Sequence, residues 1–161
     1  GRLELIARTP GGAPLYVDYA HTPDALEAAL LAMRPHIRGR LILLFGCGGD
    51  RDTGKRPQMG EIAARLADRV FVSDDNPRTE DPEAIRRVII AACPGAVEFG
   101  GRGEAIAAAI AELRDDDLLL IAGKGHEQGQ SIAGQMTPFD DGEVARRAVL
   151  AQSHMLSQIS P

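Results

Sequence analysis

The stretch Arg69-Val70-Phe71-Val72-Ser73-Asp74-Asp75-Asn76-Pro77-Arg78 decides how this chain folds. A short β-branched and aromatic run passes at once into a polar turn that contains proline. The run reads as a buried strand, and the carboxyl end of such a strand is where open α/β sheets bind their ligands, because backbone groups and side chains there point into a crevice. Two further runs end in the same manner. Residues 40–45 lead into Gly46-Cys47-Gly48-Gly49-Asp50-Arg51-Asp52, and residues 117–122 lead into Gly123-Lys124-Gly125-His126-Glu127. If the strands are parallel, all three loops share one edge. That edge then carries Arg51, Asn76, Arg78 and Glu127, fixed charges and donors suited to a zwitterion.

Outward from these strands the pattern alternates strand with helix, which favours a parallel sheet with right-handed crossovers. Residues 3–7 and 15–19 read as short strands on either side of Thr9-Pro10-Gly11-Gly12, a strong turn signal. Thr22 is placed to cap a helix with Pro23 at its first position, where the missing N–H is harmless. Leu26, Leu30, Met33 and Ile37 keep helical spacing on one face. Further apolar stripes run through Ile62, Ala63, Leu66 and Ala67, through Ile85, Val88, Ile89 and Ala92 behind the Asp81-Pro82 start signal, and through Ala105, Ile106, Ala109, Ile110 and Leu113. Val97-Glu98-Phe99 is a short strand. Residues 130–139 are expected to be irregular or an edge hairpin, residues 142–152 a closing helix, and the tail from Ser153 to Pro161 frayed. The expected architecture is one α/β domain over residues 1–161, Rossmann-like, with a mostly parallel sheet of about six strands and helices on both faces.

The chain has 161 residues, enough to bury a core without disulfide or metal staples. Its net charge of −5 and pI near 5.3 argue against nucleic-acid and anionic-membrane partners, which reward a basic surface. Cys47 and Cys93 show no metal-ligand spacing and read as small apolar filler, consistent with a reduced, cytoplasmic setting. No apolar run approaches the roughly 20 residues of a spanning helix, and no signal peptide stands at the start. Gly1 in place of an initiator methionine suggests a domain boundary.

Two nucleotide motifs are imitated and neither is completed. Gly46-Cys47-Gly48-Gly49-Asp50-Arg51 follows a strand as a dinucleotide fingerprint would, but Arg51 stands where the third glycine is needed for close helix–strand packing. Gly49-Asp50-Arg51-Asp52-Thr53-Gly54-Lys55 matches a phosphate-cradling loop up to its lysine. Arg56 then replaces the serine or threonine whose hydroxyl would hold Mg²⁺. Arg51 reads equally as a surface residue paired with Asp50 or Asp52 and as a ligand-binding group, and Asp75 to Arg78 equally as an Asx-turn opening a helix. His126 and Glu127 are adjacent and diverge, so no metal site is expected. His21 is expected to be exposed. The residues alone thus give an anion- and amine-binding α/β domain whose reaction is open.

Over almost its whole length the sequence resembles the C-terminal domain of the Mur ligases, in particular the branch that adds the third residue of the peptidoglycan stem peptide. The resemblance rests on Asp18-Tyr19-Ala20-His21-Thr22-Pro23, Phe45-Gly46-Cys47-Gly48-Gly49-Asp50-Arg51-Asp52, Asp75-Asn76-Pro77-Arg78 and Gly123-Lys124-Gly125-His126-Glu127, in that order. It implies the amino-acid-binding domain of a three-domain, cytoplasmic, ATP-dependent ligase of cell-wall biogenesis. In that family the D-glutamyl carboxylate of UDP-N-acetylmuramoyl-L-alanyl-D-glutamate becomes an acyl phosphate, which the amine of meso-diaminopimelate attacks. ATP and Mg²⁺ are held mainly by the central domain, so this domain alone is expected to lack activity and to hold no catalytic residue or metal ligand.

Carried onto this sequence, the resemblance assigns Asp75, Asn76, Pro77 and Arg78 to the motif that selects meso-diaminopimelate, with Arg78 and Asn76 on one carboxylate. It gives Arg51 to a second carboxylate, and Gly123 and Glu127 to the distal ammonium. Asp18, Tyr19 and His21 fall near the ribose and adenine of ATP. A planar guanidinium suits carboxylates, and a carboxylate facing an ammonium fixes its direction. Two alternatives stay open, a related ligase adding lysine or glutamate, and a non-catalytic amino-acid-binding module.

Overall fold

A computed structural model describes residues 3–159; Gly1, Ser160 and Pro161, on which some of these expectations fall, lie outside it. The chain opens with strands β1 (Glu4–Arg8) and β2 (Pro14–Asp18) and helix α1 (Pro23–Met33). Then β3 (Leu41–Phe45), α2 (Lys55–Leu66), β4 (Arg69–Val72), α3 (Pro82–Ala92), β5 (Val97–Glu98), α4 (Arg102–Glu112) and β6 (Leu118–Ala122) follow. A hairpin of β7 (Gly129–Ile132) and β8 (Gln135–Pro138) precedes the closing helix α5 (Asp141–Ile159).

The main sheet has six strands in the order β1-β2-β6-β3-β4-β5. Only β1 runs antiparallel to its neighbour; β2, β6, β3, β4 and β5 are parallel. The chain winds outward from β3 through β4 to β5, then returns across α4 to place β6 on the other side of β3. The order therefore reverses between β3 and β6, and a crevice opens outside their carboxyl ends.

The parallel strands read as unbroken apolar runs because both sides of the sheet are covered. Leu41, Leu43 and Phe45 of β3 meet Leu26 and Leu30 of α1, Met59 and Ala63 of α2, and Ile85 and Ile89 of α3 on one face. Ile42 and Leu44 point the other way, to Ala105, Ile106 and Ile110 of α4 and to Ala145 and Val149 of α5. The start signals act as read: Thr22 Oγ1 accepts from Ala25 N, and Asp81 accepts from Glu83 N.

Three expectations are corrected. Helix α1 stops at Met33, since Pro35 cannot donate an N–H and a 3₁₀ turn, Arg34–His36, replaces the next helical turn. Ile37 is therefore extended and packs on the core from outside the helix. The tail does not fray at Ser153, because no glycine or proline interrupts residues 143–159 and the helix runs on to Ile159. Residues 130–139 hold a hairpin that forms its own two-stranded sheet and is not an edge of the main one. No helix among the described residues is long and apolar enough to cross a membrane.

One buried ion pair fastens the ligand-facing edge. Arg102 at the start of α4 and Asp141 at the start of α5 are fully buried and paired bidentately, with Nε–Oδ1 and Nη2–Oδ2 each 2.7 Å. The same guanidinium donates to the carbonyls of Ala122 (3.1 Å) and Asp74 (3.3 Å), the ends of β6 and β4. Arg102→Met strands the Asp141 carboxylate in the interior and is expected to lower the unfolding free energy by about 3–5 kcal/mol, read by urea titration. A loss below about 1 kcal/mol would mean that water reaches Asp141.

Candidate functional site

The loops after β3, β4 and β6 surround a cleft of about 490 Å³ lined by Arg51, Asp75, Asn76, Arg78, Gly123 and Glu127. Lys55 and Asp52 also reach it, so its wall carries both charge signs. Six of the seven residues assigned to the amino acid thus come together. Pro77 does not line the cleft; it is buried behind the loop, where its carbonyl accepts from Glu80 N.

Arg51 is exposed on the cleft wall, and the local pairing considered for it does not form. Asp50 turns instead to Thr79, accepting from its N–H at 3.2 Å and from Oγ1 at 2.7 Å. That hydroxyl contact holds the Asp50 carboxyl below its usual range. Asp52 accepts from Gly54 N at 2.9 Å. Arg56, which spoils the phosphate-loop match, is buried, pairs with Glu80 at 3.0 Å and donates to the Gly48 carbonyl at 3.0 Å.

Arg78 adopts φ 55°, a left-handed conformation uncommon for a side chain of this size. Two backbone bonds hold it there, Arg78 N to Ser131 O (2.8 Å) and Ala133 N to Arg78 O (2.7 Å). Its Nη1 donates to the carbonyls of Gly49 (2.9 Å) and Asn76 (3.3 Å), tying the β3 and β4 loops together. The guanidinium passes so close to Gly48 that a Cβ there would lie 2.7 Å from Nη1. Gly123 is constrained twice over: its φ is 116°, and an added Cβ would lie 2.5 Å from Asp75 Oδ2.

The buried Asn76 has a fixed amide. Its Oδ1 accepts from Lys124 Nζ (3.0 Å) and Ser131 N (2.9 Å), while Nδ2 is 3.5 Å from Glu127 Oε1. Glu127 is partly exposed at the cleft. Asp18, Tyr19 and His21 gather elsewhere, around an adjoining recess of about 500 Å³ floored by Ala25, Ala28 and Ala29. Tyr19 and His21 meet edge to face at 4.7 Å and border both spaces, whereas Asp18 borders only the recess. Among the described residues no group of three or more His, Cys, Asp or Glu side chains is arranged to hold a metal ion.

Sequence reasoning passed over Lys124, Gln130 and Ser131. Lys124 lies within a quoted motif, but spacing carries no sign that its side chain turns inward. Gln130 and Ser131 fall where only an irregular segment or a hairpin was expected. Cys47 also lines the cleft while remaining nearly inaccessible.

The family model described as "Mur ligase, glutamate ligase domain" matches residues 1–125. The UDP-N-acetylmuramoyl-L-alanyl-D-glutamate–2,6-diaminopimelate ligase of Chelativorans sp. (strain BNC1) is 62% identical over 149 residues, 92% of this chain and 31% of the relative. The protein of the same name from Mesorhizobium japonicum is 58% identical over the same shares. The chain thus spans about a third of the length of these curated relatives. A solved structure of a ligase of that name superposes with a TM-score of 0.89 at 42% identity, covering 96% of this chain and 32% of the other. Escherichia coli FolC in complex with ADP shares the fold at a TM-score of 0.61 and 18% identity, over 96% of this chain and 32% of its own.

Burial pushes the Cys47 thiol up to about 12, with Lys55 pulling it down only in part. A thiol reacts as thiolate, and at pH 8 a group with that pKa is ionised in roughly one molecule in ten thousand. Native protein is therefore expected to leave Cys47 unmodified by iodoacetamide at pH 8, by mass spectrometry, and to modify it in urea. Rapid native alkylation would show that the cleft floor opens.

Proposed function

The chain belongs to the Mur ligase family, and from that premise we propose that it is the amino-acid-binding C-terminal domain of the ligase joining meso-diaminopimelate to UDP-N-acetylmuramoyl-L-alanyl-D-glutamate. One observation carries the reading: Arg51 and Arg78 face one cleft with Asn76, Asp75 and Glu127. Diaminopimelate has two carboxylates and two amines, and a wall with two guanidinium groups and separate acidic side chains offers each a partner of opposite charge.

Arg78 and the Asn76 amide take one carboxylate, Arg51 the other, and Glu127 with the Gly123 carbonyl holds the distal ammonium. These residues bind and orient; none is asked to break or form a bond. The reacting amine is presented to an acyl phosphate formed on the D-glutamyl carboxylate, where it attacks the acyl carbon as phosphate leaves. ATP supplies that phosphoryl group, and the recess of Asp18, Tyr19 and His21 takes its ribose and adenine. The phosphates and Mg²⁺ belong to the remainder of the longer protein, so this chain alone makes no product. The setting is cytoplasmic peptidoglycan synthesis.

Discrimination against lysine follows from charge. Lysine lacks the distal carboxylate, so Arg78 gains nothing from it and keeps only its carbonyl contacts to Gly49 and Asn76. In the full-length ligase, Arg78→Ala should lower kcat/KM for meso-diaminopimelate about 10- to 150-fold, the equivalent of a charge-assisted bond worth about 1.5–3 kcal/mol. Activity with lysine should change far less. Glu127→Gln should harm both, since both carry the distal ammonium. An equal loss for the two amino acids in Arg78→Ala would assign Arg78 to holding the loop.

A further inference from the structure

Lys124 sits at the centre of the site without lining it. Its side chain is fully buried beneath the loop after β6, between Gly123 and Gly125, both at positive φ. That left-handed backbone on either side turns the residue inward, away from the cleft. Nζ donates to Asn76 Oδ1 at 3.0 Å and to the Gly129 carbonyl at 2.7 Å, and lies 3.6 Å from Glu127 Oε1. A buried lysine needs such partners, because a charge taken out of water without them is strongly disfavoured.

The three partners come from different segments, two of which line the cleft. Asn76 is in the loop after β4, Glu127 in the loop after β6, and Gly129 opens the β7–β8 hairpin. The hairpin in turn backs the β4 loop along its length. Gln130 Nε2 donates to the Asp75 carbonyl at 2.7 Å, Ser131 N donates to Asn76 Oδ1, and Arg78 pairs with Ser131 and Ala133 through its backbone. Among the described residues Lys124 is the one side chain that bonds both to the hairpin and to the Asn76 amide while approaching Glu127.

We infer that Lys124 is a positioning residue for the amino-acid cleft: it fixes which way the Asn76 amide faces and steadies Glu127. With two donors on Oδ1, the amide must present its NH₂ toward Glu127 and the cleft, where it can donate to a carboxylate. With one donor lost, the amide can turn and offer an acceptor, which repels the same carboxylate. Glu127 loses the nearby cation that limits its freedom. The inference rests on the proposed function and adds a residue that touches no substrate.

The test uses full-length ligase with Lys124→Met, which keeps length and apolar volume but no donor. The KM for meso-diaminopimelate is expected to rise about tenfold or more, while those for ATP and the UDP-dipeptide stay within about twofold. Asn76→Ala should raise the same KM, and the double variant should be no worse than about twice the more severe single one, since residues acting through one group are not additive. Should the methionine variant be insoluble, Lys124→Leu, likewise apolar and without a donor, serves with the same expectation. A rise in all three KM values together with a fall in thermal stability would make Lys124 a general structural residue and overturn the inference. So would an unchanged diaminopimelate KM, or fully multiplicative effects in the double variant. If the wild-type ligase itself rejects diaminopimelate, the proposed function fails; if it accepts diaminopimelate and only the Lys124 expectation fails, the proposed function stands.

Discussion

The bidentate pair of Arg102 and Asp141 is the constraint on which the ligand-facing edge depends. A sheet fixes its own strand ends, but the loops beyond them have no ladder to hold them. Arg102 meets that need from inside, donating to the last carbonyl of β6 and to the Asp74 carbonyl while pairing with the start of α5. Five donors in a rigid fork allow one side chain to reach all three elements at once. A lysine could not, and an apolar residue of equal volume would leave carbonyls and a carboxylate unpaired. Around it a less buried link repeats the device, with Arg86 pairing both Asp74 and Glu98. Burial raises the Asp74 carboxyl above its ordinary range even with Arg86 beside it, which shows how far these loops are withdrawn from solvent.

From that base the cleft is built by sorting polar groups into those that hold the loops and those left for a ligand. Asp50, Arg56 and Glu80 are committed to one another and to the backbone. Arg51 is not committed, although Asp50 and Asp52 flank it in sequence. Arg78 serves on both sides of this division, clasping two loops through one nitrogen while lining the cleft.

The fold alone says little about chemistry. Solved structures named as folylpolyglutamate synthases share it with this chain at 19–20% identity, so strand order and helix packing do not by themselves fix a function. Here the hairpin β7–β8 has a particular place. Ile132 bridges to Arg78 in the loop after β4, so the hairpin's position is coupled directly to Arg78.

Much of this was legible in the sequence. Unbroken apolar strands alternating with capped helical stripes specify a parallel sheet with two covered faces, because burial on both sides removes the need for polar alternation. Polar turns at the ends of three such strands, two of them glycine-bearing and one containing Pro77, mark the shared sheet edge, and the motif order identifies the family. Tertiary structure decided the rest, for reasons that one-dimensional spacing cannot carry. That Asp50 turns to Thr79 and leaves Arg51 to the cleft depends on how two loops meet across the sheet edge. That Pro77 is buried behind its loop and Asp18 borders only the adjoining recess is likewise settled by three-dimensional placement. The ending of α1 at Met33, ahead of Pro35, and the continuation of α5 to Ile159 were local signals within reach of the sequence, whereas the inward turn of Lys124 was not. Whether a lysine faces solvent or is buried under an asparagine is set by the positive φ of its neighbours and by partners 48 residues away in Asn76 and 5 away in Gly129, and only the folded chain brings these together.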